Sequence, residues 1–186
     1  MLDKDIKYTV VRSRRRSVAI MIDPDANLTV RAPLRMSDRA IAEFVASKQD
    51  WIQKHLEKMQ HIVMKRNETP AFTQAEHEEL IQRALKIIPE RVAHFAPIIG
   101  VTYGNITIRN QKTVWGSCSA KGNLNFNYLL AALPAEVTDY VVVHELCHRK
   151  EMNHSARFWA EVGKIIPNHK EIRKWLKEEG SVYLGK

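Results

Sequence analysis

The chain has 186 residues, 45% of them hydrophobic and 27% charged, with seven glycines, seven prolines and two cysteines, which supplies a buried core and excludes collagen-like, disordered and disulfide-framework classes. No apolar run reaches the roughly 18 residues of a membrane span, and Met1–Lys7 lacks both the basic and the apolar stretch of a secretory signal, so the expectation is a cytoplasmic protein without membrane contact. The net charge of +8 is uneven: residues 1–66 hold 14 Lys/Arg against 8 Asp/Glu, and residues 67–186 hold 15 against 13.

Short β-branched runs at residues 6–12, 17–22 and 28–32 predict three strands, with the turn chemistry of Asp23-Pro24-Asp25-Ala26-Asn27 between the last two. The expected arrangement is an antiparallel β-meander. After Ala32-Pro33, Ser37 is a candidate N-cap, and Ile41, Phe44, Val45, Trp51, Ile52 and Leu56 recur at helical spacing as far as about Gln60. The polar stretch 64–72, broken by Pro70, marks the expected boundary between an N-terminal subdomain over 1–66 and a second domain over 67–186. Thr73-Gln74-Ala75-Glu76 has the pattern of a capping box, and Pro89 is expected to kink or divide the helix it opens before Gly100. Ile106-Thr107-Ile108 and Asn123–Asn127 alternate as strands do, Trp115–Ser119 reads as a tight turn, and helices are predicted from Pro134 to about Lys150, over 155–165 and over 168–179.

Chemistry concentrates in Val143-His144-Glu145-Leu146-Cys147-His148. Two histidines four apart on a helix project from one face about one turn apart, so both can reach one ion, and Glu145 is left beside that ion free to act as a base. A tetrahedral catalytic zinc takes three protein ligands and keeps one position open. His154 is the preferred third ligand, provided the helix ends between Lys150 and Asn153 and the chain turns back; Glu161 and Glu171 are the alternatives. At the turn, Glu151 stands where such spacings often carry Gly, and Asn153 is expected to take the left-handed backbone instead. The implied reaction is hydrolysis by metal-activated water with Glu145 as general base.

Trp115-Gly116-Ser117-Cys118-Ser119, Gly122-x-Leu124-x-Phe126-Asn127, the His144–His148 stretch with its preceding Tyr140-Val141-Val142-Val143, and Asn153-His154-Ser155-x-x-Phe158-Trp159 resemble the YgjP-like metallopeptidase family, related to the SprT-like zincins. Arg12-Ser13-x-Arg15 before the Val18–Ile22 strand, and Val30-x-Ala32-Pro33 after it, are similar to that family's N-terminal region, so the resemblance covers most of the chain. It implies a zincin-like core with a small sheet packed on the metal helix, one zinc ion held by His144, His148 and His154, and Glu145 as base. Some relatives are assigned as nucleoside triphosphate pyrophosphatases preferring UTP, which makes a nucleotide an alternative to a peptide substrate. A catalytically silent zinc-containing module that binds nucleic acid or protein is the third reading.

Arg12, Arg14, Arg15 and Arg16 fall at the junction of the first two strands, either as a solvated turn or as a contact for a polyanion. Asn127 and Tyr128 close the strand before the metal helix and are candidates to hydrogen-bond substrate. The fold class expected is thus α+β: an N-terminal antiparallel meander with one long helix, then a zincin-like domain. No obligate protein partner is implied.

Overall fold

The computed structural model describes residues 6–184, so the first five residues of the expected N-terminal subdomain lie outside the described residues. The chain divides into two compact units, Met1–Thr69 and Pro70–Lys186.

In the first unit, strands β1 (Thr9–Ser13), β2 (Ala19–Ile22) and β3 (Leu28–Pro33) form a sheet in the order β1-β3-β2. This corrects the meander: β3 is central, antiparallel to β2 but parallel to β1. The β2–β3 link is a true hairpin, because the Asp23 carboxylate accepts from the amides of Asp25 (3.0 Å) and Asn27 (2.8 Å). The Arg-rich link after β1 turns with the Arg15 amide donating to the Ser13 carbonyl (2.8 Å) and carries the chain across to the far side of β3. Along β3, Leu28, Val30 and Ala32 are buried at every second position, as a sheet with one covered face requires. They pack with Ile41 and Val45 of helix α1 (Asp38–Ala46) and Ile52 of helix α2 (Gln49–Glu68). The single long helix expected here is therefore two. The Ser47 hydroxyl donates back to the Phe44 carbonyl (2.7 Å) and Lys48 leaves helical geometry at φ −114°, interrupting the ladder. The Ser37 hydroxyl caps α1 by accepting from the Ala40 amide.

In the second unit, α3 (Gln74–Ile99) opens on the Thr73/Glu76 capping box and ends at Gly100, whose φ of 77° is left-handed. It runs on through Pro89 and Pro97 rather than dividing. The buried stripe Ala84, Ile88, Val92, Phe95, Ala96 and Ile99 spans both prolines, so tertiary burial outweighs the lost backbone bonds. Strands β4 (Ile106–Arg109), β5 (Gly116–Cys118) and β6 (Leu124–Asn127) form a second sheet in the order β4-β6-β5. Residues 116–118, read as part of a turn, are thus an edge strand; the turn follows at Ser119–Gly122, where Gly122 has φ 84°.

After a 3₁₀ turn at Tyr128–Ala132 come helices α4 (Ala135–Cys147), α5 (Ala156–Ile165) and α6 (His169–Glu178). Helix α4 is the centre of this unit: α3, α5, α6, β5 and the 3₁₀ turn all pack on it. A two-pronged ion pair from Arg91 to Asp139 fastens α3 to α4. Among the described residues no helix is long and apolar enough to cross a membrane.

Candidate metal centre

Helix α4 is apolar nearly all round, with Val137, Val141, Val142, Val143, Leu146 and Cys147 buried, so its few polar side chains are set into the core. It ends at Cys147, before the expected Lys150. His148 nevertheless keeps helical angles (φ −63°, ψ −17°), which preserves the one-turn spacing from His144. The amides of Arg149 and Lys150 then reach the carbonyls of Leu146 and Cys147, both at 3.0 Å, a tightening to three-residue bonds that closes the helix. Asn153 does not supply a left-handed residue: among the described non-glycine residues only Ala26 has positive φ. The chain turns with ordinary angles, and Ser155 caps α5 by accepting from the Phe158 amide (3.3 Å), leaving His154 between turn and cap.

The three imidazoles converge. Their centroids are 5.0 Å apart for His144–His148, 4.8 Å for His148–His154 and 4.9 Å for His144–His154, and one ring nitrogen from each lies within 4.8 Å of the others. Nε2 of His144 and Nε2 of His154 are 2.9 Å apart. His148 directs Nδ1 at the Glu151 carbonyl (3.1 Å); with Nδ1–H donating there, the Nε2 lone pair faces the cluster. The other nitrogen of His144, Nδ1, is buried without a hydrogen-bond partner. The Phe158 ring supports all three from one place, at 4.9, 4.6 and 4.8 Å from His144, His148 and His154. Trp159 stacks on His154 at 5.5 Å.

Burial, reinforced by His148, His154 and Arg173, pushes the His144 pKa down to about 3, and burial, His148 and Arg173 lower that of His154. These two rings are therefore neutral donors at pH 7. Neutral nitrogens suit zinc, and zinc–nitrogen bonds of about 2.0–2.1 Å place ligand atoms about 3.3 Å apart in a tetrahedron, inside the spread observed. The donor set fits a metal ion.

Glu145 is 5% exposed, and its burial pushes the carboxyl pKa up to about 8. It lies against β5 so closely that a Cβ on Gly116 would stand 2.8 Å from both its Cγ and its Oε1. Glycine is required there by space, not by backbone angle.

The other candidates are placed elsewhere. Glu161 is engaged by Lys150 (2.8 Å) and by Lys164, and Glu171 is exposed on α6, so the three-ligand cluster contains neither carboxylate. The Asn127 amide is fully used: its Nδ2 donates to the carbonyls of Gln111 (2.6 Å) and Val114 (3.4 Å), and its Oδ1 accepts from the Leu129 amide (3.1 Å). That is a capping role, and it leaves no donor for a substrate. The Tyr128 hydroxyl meets His77 Nδ1 at 2.6 Å and borders a cavity of about 420 Å³ with Ile108 and Arg109. Arg12 is held by Asp38 and by the carbonyls of Met36 and Pro33, Arg15 approaches Ser17 at 3.5 Å, and Arg14 and Arg16 are exposed. All four arginines belong to the first unit and the histidines to the second. Sequence reasoning gave no individual role in the site to Gly116, Phe158, Trp159 or Arg173, although the first three stand in the motifs that carry the family resemblance.

An α+β domain that gathers three imidazoles around the helix that carries a buried carboxyl has the composition of a metallohydrolase. Residues 16–81 and 60–179 match the family described as YgjP-like, metallopeptidase domain. The chain belongs to the YgjP-like family and is a metal-dependent hydrolase of the metallopeptidase class. Among solved structures, it is similar to the metallopeptidase zymogen of Pyrococcus abyssi abylysin, with 28% identity over 50% of this chain and 96% of that one, at a TM-score of 0.46. It is also similar to the zymogen of Methanocaldococcus jannaschii jannalysin, with 24% identity over 50% and 97% of the two chains, at a TM-score of 0.45. No curated protein sequence matches.

Proposed function

We propose that His144, His148 and His154 hold one catalytic zinc ion per chain, and that Glu145 is the general base in hydrolysis of peptide bonds. The observation that carries this reading is the convergence of the three imidazoles on the helix that carries the buried Glu145. When bound, the ion supplies Lewis-acid polarisation of the scissile carbonyl and acidifies the attacking water toward neutrality.

The protein side of the reaction follows from placement. The Glu151 carbonyl fixes the His148 tautomer, and Phe158 holds the three rings in register. A carboxyl whose burial disfavours its charge becomes a competent base once a cation stands beside it. Glu145 then accepts the proton of the attacking water and returns it to the leaving amide nitrogen. Strand β5 is an edge, with no strand pairing on its outer side among the described residues, and an extended peptide can add there by backbone hydrogen bonds. No observation favours the nucleotide reading; within the Arg cluster, Arg12 is already paired with Asp38.

The test is Glu145→Gln. Metal content should stay at one ion per chain while hydrolysis of unfolded polypeptide falls by about 10³-fold; an unchanged rate would refute the role of Glu145. Running the wild type on UTP alongside decides between substrates, since turnover of UTP with none of polypeptide would overturn the peptidase reading.

A further inference from the structure

Arg173 is an exposed residue of α6 with no carboxylate partner among the described residues, as is also true of Lys170 and Lys174 on the same helix, whereas on the preceding segment Lys150 and Lys164 share Glu161 and Arg157 approaches Glu151. Its guanidinium carbon stands 4.5 Å from the centroid of Trp159. That ring is fixed in turn, stacked on His154 at 5.5 Å and on the buried His169 at 5.8 Å and 11°. His169 is itself tied through Nδ1 to the Ile166 carbonyl (3.1 Å). The guanidinium is therefore braced against a ring that also braces a candidate ligand.

A cation held beside a cation-binding cluster is unfavourable by itself. Imidazole ligands cancel none of a divalent ion's charge, and the acid of the proposed centre, Glu145, is buried against β5. With Glu145 committed to the attacking water, what Arg173 lacks is an anion of its own. We infer that Arg173 is the substrate-docking residue of the centre, and that it takes a peptide carboxylate close to the scissile bond through the paired N–H donors of its planar fork. The carboxylate is either the C-terminal group of the peptide or an Asp/Glu side chain, so the preferred substrates are acidic at that position. This rests on the reading of the histidines and Glu145 as the hydrolytic centre.

The test uses the full-length, zinc-loaded protein and three peptides with one common scissile bond: a free C-terminal carboxylate, the same peptide amidated, and the amidated peptide with a Glu beside the bond. Arg173→Gln should raise KM about 10- to 100-fold for the carboxylate-bearing peptides, the scale of a lost charged hydrogen bond, with kcat and the amidated peptide little changed. Arg173→Lys should recover part of the loss. The larger effect on the free terminus or on the Glu peptide identifies which carboxylate is held. An equal loss for all three peptides, or none, overturns the inference while leaving the hydrolytic reading intact. Calorimetric binding of the same peptides to Glu145→Gln protein, with and without Arg173→Gln, keeps the two separable. Carboxylate-dependent binding that needs Arg173 supports the docking role even where the wild type cleaves none of the peptides, and binding indifferent to either overturns it.

Discussion

The two three-stranded sheets share one connectivity. In each, the third strand is central, parallel to the first and antiparallel to the second. They differ in what the second strand carries. In the first unit β2 is Ala-Ile-Met-Ile, with Ile20 and Ile22 partly buried against the core and Met21 exposed. In the second, β5 is Gly-Ser-Cys, and its missing side chain at Gly116 is the space filled by Glu145. Strand topology does not designate the chemistry. The size of one residue on an edge strand does.

Removing a ring should have the largest effect. His154→Ala is expected to cost the protein its ion and nearly all hydrolysis, read by metal analysis and turnover; full retention of the ion would move the third ligand to Glu161 or Glu171. Next comes the comparison itself. Gly116→Ala would put a Cβ 2.8 Å from Cγ and Oε1 of Glu145, forcing the carboxyl to shift, and should lower kcat by about 10- to 100-fold, the order expected for a misplacement near 1 Å. Met21→Ala on β2, where the side chain is exposed, should leave the rate alone.

A pH effect comes third, in chelator-treated protein. The Glu145 pKa is raised from 4.5 to about 8 on folding, so stability falls as pH climbs between those values. The His144 pKa is lowered from 6.5 to about 3, so stability falls as pH drops between those values. The two trends oppose each other between pH 4.5 and 6.5, leaving a net decline in Tm above 6.5 that Glu145→Gln should abolish. The smallest effects belong to two caps. Ser155→Ala and Ser37→Ala should each cost about 1 kcal/mol, measured by denaturant midpoint. Only Ser155→Ala should also weaken metal affinity, because that cap fixes the return of the chain at His154.

The centre was legible because a histidine pair one helical turn apart has few other uses, and because α4 announces its burial through consecutive valines. The rest was hidden for particular reasons. Short alternating strands read the same whichever neighbour they pair with, so the parallel placement of β1 left no trace in its residues. Helical periodicity continues across Ser47 and Lys48, masking the break between α1 and α2. A polar residue that caps, as Asn127 does, looks in sequence like one offered to a substrate. The role of Gly116 becomes visible only when its neighbour is known, and Arg173 gains meaning only from a ring on the preceding helix.

Helix α4 has almost no face of its own to vary. Of its thirteen residues nine are buried, His144 points into the cluster, and Asp139 is tied to Arg91. Ala135 and Glu136 are the exposed positions left. A library randomised over this segment and selected for a folded, metal-loaded protein should return diversity at those two sites and near-uniformity elsewhere. Mutational drift in this molecule is thereby steered away from the axis around which it is built.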